Sequence, residues 1–385
     1  MNVLFIMLPK WKIPIGNSFL ISGEHNMALF LVFLAIPIVW LVFAKIALHS
    51  KITWKEAGVQ FGISIVVAAL ITIALYIGKN MGGMDTELIN GFVVDKYSQR
   101  VSCIHSYECN CMYYTDSNGN QQRRCQTCYE HPFDVSWIVD TTVGDISISR
   151  VNSQGTIEPP RFTEVEINEP VTRRNSYMNY VKANPDSIFN DTEYTHLMDA
   201  HEFNIPNYPV IHDVYRVNRV VVASHQIPRD LFRDLSESIS MELRTLSAEK
   251  EVNIVVVVTH ESNPQYANAL KYEWLGGKKN DVVIVLGMPE YPNIEWIESF
   301  GWAEGSRIFK EINDHYRGDD LNVDTFATDL SSIIREHYVR QEFSQYDYLL
   351  DELSPPLWAI FIGFIINLIV CVSVGWYFYK HDPLD

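Results

Sequence analysis

Basic residues are scarce in this chain of 385 residues. Lysine and arginine together number 30 against 47 aspartates and glutamates, which gives a formal net charge of −17 at pH 7. All the acidic residues except Glu24, Glu56, Asp382 and Asp385 lie between residues 80 and 354, so the middle of the chain is strongly acidic. A surface of this charge repels phosphate groups, and we therefore exclude nucleic acid as a partner.

Short motifs typical of common active sites are also missing. The chain contains no Gly-x-Ser-x-Gly elbow, no Gly-Lys-Ser/Thr phosphate loop and no His-Glu-x-x-His zinc motif. His196 and His201 lie five residues apart, which is not the four-residue spacing of a zinc-binding pair on one helix face. We interpret both histidines as surface residues and expect a protein without enzymatic activity.

Charge is almost absent from three long apolar runs. They cover residues 27–48, 59–78 and 356–379, and Lys45 is the one charged residue in them. A helix needs about 20 residues to cross roughly 30 Å of hydrocarbon, and each run is long enough. Trp358 and Trp376 stand near the two ends of the third run, as interfacial aromatic anchors do. These runs predict three transmembrane helices, with the lipid bilayer as a partner.

The lysines beside these runs predict the orientation, because short cytoplasmic loops are enriched in positive charge. Lys51 and Lys55 lie in the connection at residues 49–58, and Lys380 lies in the tail at residues 380–385. We therefore place both segments in the cytoplasm and the large domain in the periplasm, a lumen or the cell exterior. Residues 1–26 contain too short an apolar stretch to span, and we predict an interfacial segment there.

Cysteine is nearly absent outside one stretch, which holds five of the six cysteines. Cys109, Cys111, Cys125 and Cys128 form two close pairs around a turn-rich linker, a pattern typical of a hairpin. Four thiolates at this spacing can bind one structural Zn²⁺ ion. Disulfide bonds are the alternative, which an oxidising compartment favours. Both alternatives remain open here, and in either case we expect a structural cross-link and not a redox centre.

Other potential ligands flank these four cysteines. Cys103, His105 and His131 are reserve ligands for the zinc alternative. The sixth cysteine, Cys371, lies within the third apolar run, where a small side chain suits helix packing.

The region between the second and third apolar runs is predicted to have three parts. Residues 79–169 alternate between apolar and polar positions, for example at Val135–Val139 and Thr163–Ile167, which predicts a small β-rich segment containing the cysteine hairpin. Residues 170–215 are poorly periodic and predict an irregular linker region.

Residues 216–345 alternate between strand and helix patterns. Val252–Thr259 and Asp281–Leu286 are continuous apolar runs, which predict strands buried on both faces, and Trp296–Tyr316 has helical spacing. The predicted fold class is therefore a membrane protein with an α+β extramembrane region, in which a β-rich segment precedes an α/β/α sandwich.

One stretch of this α/β region resembles a known family. Tyr266-Ala267 on a helix, Trp274-Leu275-Gly276-Gly277 at its end, and the apolar strand that begins at Asp281 resemble the central motif of the TPM domain family. The resemblance covers about residues 216–338 and implies an α/β/α sandwich. The chain departs from the family in its two N-terminal runs, its cysteine region and the absence of an acidic run after the second strand, so the resemblance implies a fold and no activity.

Carboxylates near the predicted strand ends suggest a cation site. Asp281, Glu290 and Glu261 are the candidate ligands, and their oxygen atoms suit Ca²⁺.

The predicted function is that of a membrane-anchored assembly or interaction protein that presents an acidic extracytoplasmic domain to a protein partner or to a second copy. The first alternative is a membrane-bound hydrolase of the phosphatase type that uses the TPM-like domain, an activity proposed for some proteins of that family. The second alternative is an accessory subunit of a channel or transporter. The near absence of charge from the three spans disfavours it, because conduction pathways usually need a polar lining.

Overall fold

The structure, a computed structural model, describes residues 23–47, 52–115, 119–184, 203–212, 215–223, 231–350 and 355–381, together with Ser187 and Phe189. Most of the predicted interfacial segment at 1–26, residues 49–51 of the first connection, residues 382–385 of the tail, and both His196 and His201 lie outside the described residues.

The described residues contain nine α-helices and twelve strands. The helices are α1 (Gly23–Ala47), α2 (Trp54–Gly82), α3 (Pro160–Glu164), α4 (Tyr180–Ala183), α5 (Leu231–Lys250), α6 (Gln265–Glu273), α7 (Arg307–Tyr316), α8 (Val323–His337) and α9 (Leu357–His381), and a 3₁₀ helix covers Phe343–Leu350. The strands are β1 (Met84–Val101), β2 (Ser106–Thr115), β3 (Gln121–Tyr129), β4 (Asp134–Thr141), β5 (Ile146–Ile148), β6 (Pro170–Met178), β7 (Ile211–His212), β8 (Arg216–Val217), β9 (Val220–Val222), β10 (Asn253–Thr259), β11 (Asp281–Gly287) and β12 (Trp296–Gly301).

These elements belong to two compact units. The described residues within Met1–Asp85, Tyr177–Thr195 and Glu342–Asp385 form the first unit, and those within Thr86–Ser176 and His196–Gln341 form the second. The β-rich segment and the α/β region that the sequence separates therefore lie within one compact unit.

The first unit contains three apolar helices, α1, α2 and α9, each long enough to cross a membrane, and this part of the prediction is confirmed. Their shared core is small and includes Phe33 and Cys371. Two amide side chains link the helices, because Gln60 Nε2 donates to Cys371 O at 2.7 Å and Asn367 Nδ2 donates to Phe33 O at 3.0 Å. Such polar links and small residues at close contacts are typical of helix association in an apolar solvent.

The first sheet of the second unit has the strand order β5-β4-β1-β6. Its apolar cluster includes Val93 of β1, Val139 of β4 and Phe162 of α3. The strand predicted at Thr163–Ile167 is wrong, because α3 covers residues 160–164 instead. Pro160 stands in the first turn of this helix, where its fixed φ angle favours helix initiation.

The second sheet has the order β12-β11-β10-β9, in which β10 pairs in parallel with β9 and β11. Every residue of β10 and β11 is buried, as their continuous apolar runs predict. On one face, the side chains of β10 belong to an apolar cluster with α5, α7 and α8. On the other face, Val255 and Val257 cluster with Tyr266 and Leu270 of α6. The second unit is thus a mixed α/β region.

The helix predicted over Trp296–Tyr316 is wrong in its first third. Trp296–Gly301 forms β12, which pairs antiparallel with β11, and the helix α7 begins only at Arg307. The apolar residues Trp296, Ile297 and Phe300 have a spacing that fits one face of a helix as well as an edge strand. Pairing with the exposed edge of β11 decides between these alternatives, since it satisfies backbone hydrogen bonds that an edge leaves open.

Candidate functional site

The cysteine region forms a two-stranded hairpin, as predicted. Strands β2 and β3 pair antiparallel, with an irregularity in the register between Cys109 and Met112. Asn110 lies at this bulge with a φ angle of 46°, a left-handed conformation that asparagine tolerates better than most residues. The bulge changes the alignment of the two strands between the two cysteines of β2.

Two disulfide bonds cross the hairpin, so the disulfide alternative is the one that the structure shows. Cys109 pairs with Cys128, and Cys111 pairs with Cys125, with Cα–Cα distances of 5.8 and 4.0 Å. A sulfur atom in a disulfide is not a thiolate, and these four residues are therefore not zinc ligands in this state.

The hairpin depends on these bonds because it has no apolar core of its own. None of the described residues in β2 or β3 is buried. An isolated two-stranded hairpin is marginally stable at best in water. The disulfides close segments with sequence separations of 19 and 14 residues. A loop of this length contributes about 3 kcal/mol through the reduced entropy of the unfolded chain.

Large apolar side chains cover the stapled hairpin on the outside. Tyr113 is 71% exposed and Met112 is 67% exposed. We call the hairpin surface the set of five exposed side chains Tyr107, Met112, Tyr113, Tyr114 and Tyr129. Aromatic residues and methionine are enriched in protein–protein interfaces, so this surface has the composition of a recognition site.

A second group of side chains lies at the base of the hairpin. Cys103 precedes β2, His131 follows β3, and Asp134 is the first residue of β4. Cys103 Sγ lies 3.7 Å from His131 Nδ1, which lies 3.3 Å from Asp134 Oδ1. Each residue of this base cluster offers one potential metal ligand, and the three ligand atoms lie within 4.8 Å of one another. Cys103 is a buried free thiol.

Asp134 is fully buried and held by a cation. Its Oδ2 atom accepts hydrogen bonds from Arg150 Nη1 at 2.8 Å and from the Ile104 backbone N–H at 3.3 Å. Burial alone tends to raise the pKa of this carboxyl group, but these donors outweigh burial and lower its pKa. Asp134 is therefore a carboxylate at neutral pH, with its second oxygen directed towards His131.

A separate buried network joins the two four-stranded sheets of the second unit. The guanidinium group of Arg219, which is 2% exposed, donates hydrogen bonds to Asn253 Oδ1, to Asn90 Oδ1 and, at 2.7 Å, to Thr172 Oγ1. Asn90 belongs to β1, Thr172 to β6 and Asn253 to β10. Burial lowers the pKa of Arg219 to about 10, so its positive charge persists at neutral pH.

Asp281 adjoins this network and is also buried. Its Oδ1 atom accepts hydrogen bonds from Asn253 Nδ2 at 2.8 Å and from the Tyr208 hydroxyl at 3.1 Å, and its Oδ2 atom accepts from Lys278 N at 2.7 Å. Burial raises its pKa to about 6, although these hydrogen bonds oppose the shift. The protein itself thus supplies donors to both oxygens of a residue that the sequence suggests as a cation ligand.

The three suggested cation ligands are not brought together at one strand end. Asp281 opens β11 beside Asn253, at the amino ends of the parallel strands. Glu261 and Glu290 follow the carboxyl ends of β10 and β11, at the opposite edge. Strands of this length rise by roughly 20 Å, so Asp281 cannot share an ion with the other two.

Among the reserve ligands, the structure brings Cys103 and His131 together and adds Asp134, a residue that sequence reasoning missed. His105 lies beside them, with its ring 5.9 Å from that of His131 and its Nε2 atom 3.2 Å from Ser153 O. The available signal was the spacing of Asp134, three residues after His131 and just before an apolar strand.

No family model, curated protein or solved structure matches this chain. The resemblance to the TPM family therefore stays a prediction.

Proposed function

We propose that this chain is a membrane-anchored assembly or interaction protein and that the hairpin surface is its contact site. The observation that carries the proposal is a group of exposed aromatic side chains on a hairpin that has no buried residue among those described and is cross-linked by two disulfides. Aromatic residues lose little conformational entropy on binding, and a stapled scaffold reduces that loss further. The partner is a protein or a second copy of this chain.

The disulfide bonds also support an extracytoplasmic location of the second unit. Disulfides form and persist in the periplasm, the secretory lumen and outside the cell, and they are rare in the cytosol. The lysines at positions 51, 55 and 380 support the same orientation, because they favour a cytoplasmic location of the first connection and the tail. We propose that α1, α2 and α9 span the membrane.

The element order of the α/β region supports a TPM-like sandwich. Strand β10, helix α6 with Tyr266 and Ala267, the turn at Gly276-Gly277 and strand β11 follow one another as the resemblance implies. Gly276 and Gly277 have φ angles of 77° and 86°, which explains the need for glycine at both positions.

The phosphatase alternative gains no site from this geometry. Asp281, the carboxylate that it would use, is buried and hydrogen-bonded at both oxygens. A purified full chain that cleaves a generic aryl phosphate, and loses this activity on Asp281→Ala, would favour the hydrolase over the interaction protein.

The interaction proposal is tested by photo-crosslinking of the full chain in the membrane of its source cell. Crosslinking residues at positions 112 and 114, whose side chains lie on the same face of β2, are expected to give the same adduct. The matched control is position 241, because Met241 is an exposed apolar residue on α5. The adduct has twice the mass of the chain if the partner is a second copy.

Binding of the identified partner is then measured with purified components. Tyr113→Ser combined with Tyr114→Ser is expected to weaken binding by about 30-fold or more, because aromatic hot spots contribute about 2 kcal/mol or more. Met241→Ser is expected to leave it unchanged. The proposal fails if the crosslinks at 112 and 114 give no common adduct, or if the double variant binds as the wild type does.

A further inference from the structure

The base cluster presents three potential ligand atoms to one small volume. Cys103 Sγ, His131 Nδ1 and Asp134 Oδ1 come from three successive positions around the hairpin: before β2, after β3 and at the start of β4. We propose that these three residues bind a Zn²⁺ ion. This site is separate from the four disulfide-bonded cysteines and does not depend on the hairpin surface having a partner.

The distances between the ligand atoms fit zinc. Tetrahedral Zn²⁺ has bonds of about 2.3 Å to sulfur and about 2.0–2.1 Å to nitrogen and oxygen, so its sulfur–nitrogen edge is about 3.6 Å and its nitrogen–oxygen edge about 3.3 Å. The corresponding distances here are 3.7 Å from Cys103 Sγ to His131 Nδ1 and 3.3 Å from His131 Nδ1 to Asp134 Oδ1. The third distance, between the ligand atoms of Cys103 and Asp134, is at most 4.8 Å, so the three atoms can surround one ion.

One of the three atoms needs a positively charged neighbour. Asp134 Oδ1 is buried, and His131 Nδ1 lies 3.3 Å from it without a well-aligned hydrogen bond from any residue that the structure describes. A buried carboxylate oxygen without a donor is costly. His131 Nδ1 carries at most one proton, and it lies near both the thiol and the carboxylate. A metal ion satisfies all three atoms at once.

Neighbouring groups orient the proposed ligands. Arg150 Nη1 and the Ile104 backbone N–H occupy Asp134 Oδ2, which leaves Oδ1 for the ion. Such outer contacts are typical of protein metal sites. Sulfur and imidazole ligands favour zinc over calcium and magnesium. In the proposed site, a water molecule is the fourth ligand of the tetrahedron.

The same three residues do not form a catalytic triad. In a triad the imidazole uses one ring nitrogen towards the nucleophile and the other towards the carboxylate. Here Cys103 Sγ and Asp134 Oδ1 both lie next to Nδ1 of His131. This geometry suits a shared ion and lacks the carboxylate at the second ring nitrogen that a triad requires.

Zinc at this site would have two structural consequences. It would tie both ends of the hairpin to β4, which belongs to a sheet with an apolar core. It would also keep Cys103 as a thiolate ligand beside two disulfide bonds, which protects this thiol from oxidation.

The site is tested on the full chain, purified in detergent without reductant and treated with a chelator. Titration with Co²⁺ is expected to give one bound ion per chain and a thiolate-to-cobalt absorption band that Zn²⁺ removes. Cys103→Ser abolishes this band, and Cys371→Ser, a change at the other free cysteine, leaves it intact. Asp134→Asn weakens binding at least about tenfold.

A measurement on the wild type covers the case in which a variant fails to fold. Zn²⁺ is expected to slow alkylation of Cys103 at least about tenfold, whereas Ca²⁺ at the same concentration has no effect. The proposal is overturned if the wild type shows no cobalt band, if the band survives Cys103→Ser, or if zinc does not protect the thiol. A Cys103 thiol found in a mixed disulfide overturns it as well.

Discussion

The hairpin and the central strands of the α/β region differ in what holds them in place. Strands β2 and β3 contain no buried residue among those described, and two disulfide bonds connect them. Strands β10 and β11 are buried at every position and contain no cysteine. The side chains of the hairpin are therefore available for contacts with other molecules, whereas the side chains of β10 and β11 pack inside the α/β region.

Buried polar groups do not separate the two regions in the same way. Asp134 Oδ1 at the base of the hairpin has no well-aligned hydrogen bond among the described residues, and Arg219 Nε, Asn280 Oδ1 and the Tyr338 hydroxyl of the α/β region are likewise without one. The Arg219 network differs in the number of strands that it connects, because Arg219 donates to acceptors on three strands and Asp281 has donors on both oxygens. Such a network stabilises the packing of the two four-stranded sheets.

The largest expected effect comes from removing the charge at the centre of this network. Arg219→Met leaves the buried oxygens of Asn253, Asn90 and Thr172 without their donor, and we expect a loss of about 3–5 kcal/mol in the free energy of unfolding. This loss of stability is measured by hydrogen exchange of the full chain, as faster exchange of the backbone amides in β10 and β11.

The matched control for this variant is Arg233→Met, because Arg233 lies on the surface of α5 with its side chain 76% exposed. This change is expected to alter the free energy of unfolding by less than about 0.5 kcal/mol. Equal effects of the two substitutions would show that the buried network does not stabilise the region.

Much of this contrast could be predicted from the sequence. The continuous apolar runs at Val252–Thr259 and Asp281–Leu286 predict buried strands, and the structure has them. The paired cysteines predict a cross-linked hairpin, although spacing alone could not decide between zinc and disulfides. Only the distance between the sulfur atoms in the fold decides that.

What could not be predicted depends on contacts between distant parts of the chain. Trp296–Gly301 becomes a strand because β11 offers it an edge, which no local pattern records. Arg219 stands at the start of a short apolar run, and its partners Asn90 and Thr172 lie 129 and 47 positions away in the sequence. Asp134 lies close to Cys103 although 31 positions separate them in the sequence, because the hairpin between them brings its two ends together.

The second prediction concerns the disulfide bonds. Cys109→Ser with Cys128→Ser, or Cys111→Ser with Cys125→Ser, is expected to destabilise the hairpin locally by about 2–4 kcal/mol. Protease cleavage after Arg123 or Arg124 should become faster, and hydrogen exchange in β10 and β11 should stay as in the wild type. Faster exchange in both places would contradict the separation of the two regions.

The smallest expected effect is a pH dependence that belongs to the α/β region alone. Folding raises the pKa of Asp281 from 3.8 to about 6. Between these two pH values, the carboxyl group is mostly protonated in the folded state and mostly ionised in the unfolded state. The contribution of Asp281 to stability is therefore fully present below about pH 4 and decreases as the pH rises to about 6. The decrease is at most about 3 kcal/mol.

This effect is measured as the difference in free energy of unfolding between the wild type and Asp281→Asn at several pH values. The variant loses stability overall, because its amide group faces a donor at either Asn253 or Lys278. The difference in free energy of unfolding between the wild type and the variant is expected to be largest at pH 4 and to decrease towards pH 7. The reason is that only the wild type has a carboxyl group that loses a proton over this range. Asp314→Asn, a change at an exposed aspartate of α7, should follow the wild-type curve. A disadvantage of Asp281→Asn that grows with pH would mean that the network stabilises the carboxylate and that burial is not the dominant influence on Asp281.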